Sequence, residues 1–447
     1  MPQLVSEKAD QSDSRPTSRP KASGIRSIEL LQIGDVHYPE AVSESLGDVK
    51  DRAFPEGVRD VTTITPMQFV LRAAMREAER RKVHSVLFCG DLTSCGKAEE
   101  YRKCVAHFHQ ALNLGSYGPR RIHAVPGNHD VDRALVNSTE LFAKFASFEQ
   151  AWQDVGLDIL AVRSPRITNV ASGNSRLRLY SVNSSIGCGE VRHLPSKVRD
   201  EIQAVLAKHV VAAGGIESAF DMIGEALDTP AFQKDDIETV CEDIERQNPN
   251  VLPVILAHHN LLPQSLLRIE MYTELINSGY VRSRLGKLNR PIIYCHGHIH
   301  HNPMETVRQV QLSGSMLLCI AAPAFSRGFN IIQVEYSSKN HPLGCRVRRF
   351  ELDQHDGAIV PSETRIPFDV AHNRPISVVA HDSLPRILSQ LPDRDMRFSE
   401  LARATQTPAN EHEDLKTALI EAEWLRLIAV ANADEAVEHW NLRRLPR

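Results

Sequence analysis

Five short motifs follow one another in a fixed order: Gly34-Asp35-Val36-His37, Gly90-Asp91, Gly127-Asn128-His129-Asp130, His258-His259 and Gly297-His298-Ile299-His300. Each begins where an apolar, strand-like run stops. Polar, metal-ligating residues at the ends of successive apolar strands constrain the fold strongly. They call for strands buried on both faces, with the functional loops gathered at the carboxyl edge of a sheet.

The pattern between the motifs fits that requirement. The run Ser27–Ile33 stops at Gly34. Pro66 opens a helix with Phe69, Val70, Ala73, Ala74 and Ala78 at helical spacing. Val83–Phe88 reads as a strand ending at Gly90-Asp91, Ala98–Leu112 as a helix, and Ile122–Val125 as a strand running into Gly127. This strand–helix–strand rhythm implies crossover connections. Further strands are expected at Arg176–Val182, Val251–Leu256 and Pro291–Cys295, the last two carrying His258 and His298 at their ends. A largely helical insert at about 190–247 falls between metal-bearing strands and could roof the site or simply pack. Runs at Met316–Ile320, Phe329–Val334 and Cys345–Phe350 have β character.

Outside this unit, residues 1–26 have the composition of a disordered tail, without the apolar core of a secretory signal. The polar stretch 353–376 contains Pro361, Pro367 and Pro375 and reads as a linker with few contacts crossing it. Residues 377–447 then give helix, helix and two strands, the order of a winged helix, with a long helix over Glu413–Leu425.

The motifs are rich in donors for hard and borderline cations. Asp35 and His37 alternate on what should be an extended segment, as do His298 and His300, so each pair can face one ion. Asp91 has two oxygens and can bridge two cations, and Asn128 offers a neutral carbonyl oxygen. The donors are oxygen and nitrogen without thiolate, which suits two divalent or trivalent ions of Mn, Fe or Zn.

On these motifs the chain resembles the calcineurin-like metallophosphoesterases over residues 27–352. The likeness is strongest to the branch that includes bacterial cyclic-nucleotide phosphodiesterases, through Gly90-Asp91-Leu92-Thr93, Gly127-Asn128-His129-Asp130, His258-His259 and Gly297-His298-Ile299-His300. The resemblance implies an α/β fold with two sheets packed as a sandwich, joined here to the small winged-helix-like C-terminal domain. It implies that Asp35, His37 and His300 hold one metal, that Asp91 bridges both, and that Asn128, His258 and His298 hold the second. His129 would then stand beside the phosphate and protonate the leaving group, with Asp130 orienting it. His258 and His259 are adjacent, and only one should point inward; the family pattern favours His258.

The implied reaction is hydrolysis of a phosphate ester by metal-activated water, with a phosphodiester, and more narrowly a cyclic nucleotide, as the expected substrate. A phosphomonoester or phosphoprotein is the alternative. A nuclease is less expected, because the Gly90–Cys95 stretch lacks the extra acidic or His residue of the related double-strand-break nucleases. A regulatory protein working through 377–447 is a reading from another class. Acidic residues outnumber basic ones there, so a protein partner, or packing on the catalytic unit, is expected rather than DNA. The net charge of -4 gives no bulk attraction to nucleic acid or anionic membrane. No apolar run reaches the roughly 18 residues that span a bilayer. Eight cysteines without a Cys-x-x-Cys pair fit buried thiols in a cytoplasmic protein.

Overall fold

The structure, a computed structural model, describes residues 26–38, 65–118, 121–136, 138–157, 161–189, 229–263, 275–301, 303–308, 314–353, 355–368, 375–433 and 435–446, with isolated residues 197, 201, 204 and 312. The expected N-terminal tail and most of the helical insert lie outside these residues.

Strand β1 (Arg26–Ile33) is followed by α1 (Pro66–Arg81), β2 (Ser85–Phe88), α2 (Ala98–Ala111), β3 (Ile122–Ala124) and α3 (Ala146–Asp154). Helix α1 starts where its sequence dictates. Thr65 Oγ1 accepts from Gln68 N, Gln68 Oε1 accepts from Thr65 N, and Pro66 needs no donor partner in the first turn. Next come β4 (Arg166–Ser172), β5 (Ser175–Ser181), α4 (Lys234–Arg246), β6 (Val251–Leu256), α5 (Ser278–Gly286), β7 (Pro291–His296), β8 (Met304–Val307), β9 (Met316–Ala321), β10 (Gly328–Tyr336), β11 (Pro342–Leu352) and β12 (Ile359–Pro367).

Two six-stranded sheets result, ordered β12-β11-β10-β1-β2-β3 and β4-β5-β6-β7-β9-β8. In the first, β1, β2 and β3 are parallel to one another, while β10, β11 and β12 add antiparallel strands. In the second, β5, β6, β7 and β9 are parallel, with antiparallel β4 and β8 at the edges. The period-two alternation of strands sets the layers. Ile28 and Leu30 of β1 meet Leu179, Val254 and Ile293 of the second sheet between the sheets. Leu31 and Ile33 face the other way, onto α1, α2 and α3. The outer face of the second sheet packs on α4 and α5. The layers run helix, sheet, sheet, helix.

The expected linker is corrected by the structure. Residues 359–367 form β12, paired with β11 from Gly344↔Pro367 to Leu352↔Ile359. As an edge strand, β12 tolerates Pro361 and Pro367 and keeps a mostly exposed, polar face. Those residues give it the composition of a linker.

The C-terminal unit contains α6 (Leu384–Gln390), β13 (Met396–Arg397), α7 (Phe398–Ala404), α8 (His412–Trp424), β14 (Ile428–Ala431) and β15 (Asn441–Arg444), with sheet order β13-β15-β14. Its core of Leu384, Leu401, Leu415, Leu419, Trp424 and Leu442 also takes in Leu343 of β11. It is therefore seated on the first sheet rather than held at a distance by a linker. Among the described residues no helix is long and apolar enough to cross a membrane.

Candidate metal centre

All five motifs lie at carboxyl ends of parallel strands: after β1, β2 and β3 in the first sheet, and after β6 and β7 in the second. The sandwich brings these two edges together. Backbone hydrogen bonds lace the loops before any side chain acts. Asp35 N donates to Gly90 O at 3.3 Å, His37 N to Asp91 O at 2.9 Å, and Gly297 N to His258 O at 3.0 Å.

The alternation expected for Asp35/His37 and His298/His300 is not how the side chains converge. Asp35 and His37 both have φ of 49°, Asp91 51°, His298 71° and His300 53°. These are left-handed conformations, which bend the chain at each ligand position. Gly90 makes the bend after β2 at φ of 93°, and a Cβ there would lie 2.5 Å from the His258 ring.

Asp91 is buried at the centre. Its Oδ1 accepts from His129 N at 2.9 Å. Its Oδ2 lies 3.2 Å from His258 Nε2 and 3.8 Å from His37 Nε2. Asp35 Oδ1 accepts from His298 N at 2.7 Å and lies 3.6 Å from His300 Nε2. His37 and His300 bring their Nε2 atoms to 3.1 Å from each other. On the other side, Asn128 Oδ1 lies 3.0 Å from His258 Nε2 and 3.2 Å from His298 Nδ1. Two donor groups emerge, Asp35/His37/Asp91/His300 and His258/His259/His298, each with ligand atoms within 4.8 Å of one another.

A description of the calcineurin-like phosphoesterase family matches residues 28–302. The chain belongs to that family. No curated protein matches it by sequence. Among solved structures, a dimetal phosphatase from Danio rerio is 14% identical, with 76% of this chain and 99% of that one covered at a TM-score of 0.41. The calcineurin-like phosphoesterase YfkN from Bacillus subtilis is 10% identical, with 89% and 99% covered at 0.33. The NAD nucleotidase of Haemophilus influenzae is 10% identical, with 77% and 50% covered at 0.38.

The family's phosphoesterases use a dinuclear metal centre, and the donors here fit one. Asp35 Oδ2 is buried with no hydrogen-bond partner, the state of an oxygen awaiting a cation. Burial pushes the Asp35 carboxyl up to about 8, opposed by His258 and reinforced by Asp91. Burial also raises Asp91, but His258, His129 and His37 outweigh it and hold that group well below the usual carboxylate range. The Asp91 charge overcomes burial at His258 and pushes it up to about 9. Burial lowers His37 to about 3 and His298 well below the ordinary imidazole value. Neutral imidazoles are the form that binds metal. His258 Nδ1 is engaged with Cys89 O at 2.8 Å, which leaves Nε2 facing the centre.

His259 turns elsewhere, although its ring belongs to the second donor group. Its Nδ1 lies 2.9 Å from Ser184 Oγ and its Nε2 4.0 Å from Cys188 Sγ. The Ser184 hydroxyl also accepts from the backbone N–H of His258 and of His259. Sequence reasoning missed Ser184; its only signal was the polar Asn183-Ser184-Ser185 stop after β5.

His129 is half-buried and stands edge-on to His37, with ring centroids 4.8 Å apart. Its Nδ1 lies 3.2 Å from Ser94 O. The expected orientation of His129 by Asp130 is not what the structure shows. The Asp130 carboxylate accepts from Gly127 N, Leu92 N and Thr93 N at 2.9, 3.2 and 3.0 Å. With the Thr93 hydroxyl as a further donor at 3.4 Å, it clamps the Asp91 loop to the Asn128 loop, and it is the Ser94 carbonyl that meets the His129 ring.

Proposed function

We propose that this phosphoesterase hydrolyses a phosphodiester, with a cyclic nucleotide as the narrower candidate. In this reading Asp35, His37 and His300 would hold one ion, Asn128, His258 and His298 the other, and Asp91 would serve both. The observation that carries it is the position of Asp91 Oδ2, within 3.2 Å of His258 and 3.8 Å of His37, one residue from each donor side. A pair of divalent or trivalent ions of Mn, Fe or Zn would supply Lewis acidity toward the phosphate oxygens and the attacking water. The protein's own groups do the rest. Asp35 and Asp91 balance the added charge. His129, whose Nδ1 faces Ser94 O, is left with Nε2 as the nitrogen that can serve the leaving oxygen as general acid. Arg133, whose Nη2 donates to Asn128 O at 3.3 Å, stiffens the loop that carries Asn128.

The C-terminal unit, whose element order supports a winged-helix-like reading, is in this view a fixed part of the enzyme with an outer face open to a protein partner. The deciding experiment is a panel on the purified, Mn-loaded protein: bis(p-nitrophenyl) phosphate, p-nitrophenyl phosphate, 2′,3′- and 3′,5′-cyclic nucleotides, and single-stranded DNA. Diesters should turn over fastest. Preference for p-nitrophenyl phosphate would move the assignment to a phosphomonoesterase, and degradation of DNA to a nuclease.

A further inference from the structure

The layer between the sheets is apolar where β1 contributes Ile28 and Leu30 and β10 contributes Ile332 and Val334. The same faces, continued toward the metal loops, carry Gln32 and Asn330. These two are directly opposite each other in the β1–β10 ladder, and both are fully buried. Asn330 Nδ2 donates to Gln32 Oε1 and to Ala321 O, each at 2.9 Å. Gln32 Nε2 donates across the sandwich to Ile320 O at 3.0 Å and to His296 O at 3.2 Å. The pair thus belongs to the first sheet and is bonded to the ends of β7 and β9 in the second. Gln32 is three residues before Asp35, and His296 is two residues before His298.

Two buried primary amides are a demanding choice for this layer. A buried amide that loses a partner leaves a desolvated polar group unsatisfied, whereas an apolar pair would fill the same space without that exposure to loss. Apolar contacts, however, permit two sheets to slide. A fully satisfied amide network fixes distance and direction and selects one arrangement. The arrangement matters at this place, because the proposed ligands of each ion are divided between the sheets. Asp35, His37, Asp91 and Asn128 come from one, and His258, His298 and His300 from the other. Nearby, the sheets approach too closely for adjustment: a Cβ on Gly34 would lie 2.7 Å from Ala322 Cβ, and one on Gly297 2.7 Å from Asp35 Oδ2.

We propose that Gln32 and Asn330 are positioning residues that lock the register between the two sheets and so set the spacing of the ligands around both metal ions. Neither touches substrate. The inference rests on the dinuclear reading above.

The test uses the full chain loaded with Mn and compares Gln32→Met, the double variant Gln32→Met/Asn330→Leu, and Val334→Ala as a control. Val334 lies in the same layer, four residues from Asn330. The measurements are Mn affinity by titration, the spin-coupled Mn–Mn signal by electron paramagnetic resonance, Tm, and kcat and KM for bis(p-nitrophenyl) phosphate. Gln32→Met should weaken Mn binding and lower kcat by roughly 10–100-fold, the span seen when support behind ligands is removed, with KM little changed. The coupled signal should change as well. Val334→Ala should lower Tm while leaving Mn affinity, coupling and kcat at wild-type values. Gln32→Met takes the Gln32 Oε1 acceptor from Asn330, which keeps Ala321 O, and the double variant removes that broken bond by removing both amides. It should therefore recover Tm relative to Gln32→Met but not Mn affinity or coupling. Wild-type Mn affinity and coupling in the double variant would overturn the proposal and leave the pair a purely structural role. Failure of the wild-type protein itself to bind two Mn ions would instead overturn the dinuclear reading.

Discussion

The Arg365 guanidinium of β12 lies 3.9 Å from the centre of the Trp424 indole at the end of α8. Arg346 of β11 approaches the same ring at 5.5 Å, and a Cβ on Gly344 would lie 2.5 Å from it, so the indole rests on bare backbone between two cations. Glu421, fully buried, accepts from Ser338 N and His381 N, each at 2.6 Å. Trp424→Ala should therefore cost about 3–5 kcal/mol and loosen the C-terminal unit. Thermal unfolding should then resolve two transitions in place of one. A chain ending at residue 371 should expose Leu343 and the indole seat, and should aggregate in light scattering at temperatures where the full chain does not. A soluble shortened chain with unchanged Tm would show that this contact carries no stability.

Asp91→Asn should lower turnover at least roughly a hundredfold, because a neutral amide bridges two cations poorly. Metal analysis of the same variant should give fewer than two ions per chain. Normal activity with two ions bound would remove Asp91 from the bridging position.

His129→Ala should separate chemistry from metal binding. The side chain is held by Ser94 O, so its loss should leave both ions in place while the rate falls by roughly two to four orders of magnitude. The loss should shrink when the leaving group is p-nitrophenolate, which departs without a proton. Loss of metal from this variant would make His129 a ligand instead.

A pH effect on stability is expected away from the site. Asp236, in the first turn of α4, is 7% exposed, and burial, with Asp235 adding its charge, pushes its carboxyl up to about 6. An acid whose folded value lies above its unfolded one binds its proton more tightly in the native state. Its contribution to stability is thus present at acidic pH and is lost as pH rises through about 6. Asp236→Asn should raise Tm at pH 7 by about 2 °C and change it little near pH 4. An equal Tm change at both pH values would show that the carboxyl does not titrate in this range.

The catalytic unit's order of strands and the convergence of its five motifs were legible, because long apolar runs ending in Asp, Asn and His leave few alternatives. What was not legible depends on long-range partners. β12 looked like a linker because an edge strand with an exposed face has no apolar alternation to report. β4 and β8, the other sheet's edges, went unread as well. Asp130 beside His129 suggested a contact between neighbours, yet the turn directs its carboxylate to backbone donors of the Asp91 loop. Gln32 and Asn330 are ordinary polar residues until the β1–β10 register sets them face to face.

Five proposed ligands adopt left-handed backbone, and this has a consequence for how the site can change. Asp, Asn and His are among the side chains that tolerate that region best, and glycine tolerates it freely. Coordination chemistry and backbone geometry thus admit nearly the same short alphabet. A descendant that abandoned catalysis would keep its loops intact by drifting to Asn or Gly at positions 35, 37, 91, 298 and 300, whereas a branched residue such as Val or Ile would break the turn together with the chemistry. An inactive relative of this protein should therefore still carry the outline of the lost centre, written in small and turn-forming residues.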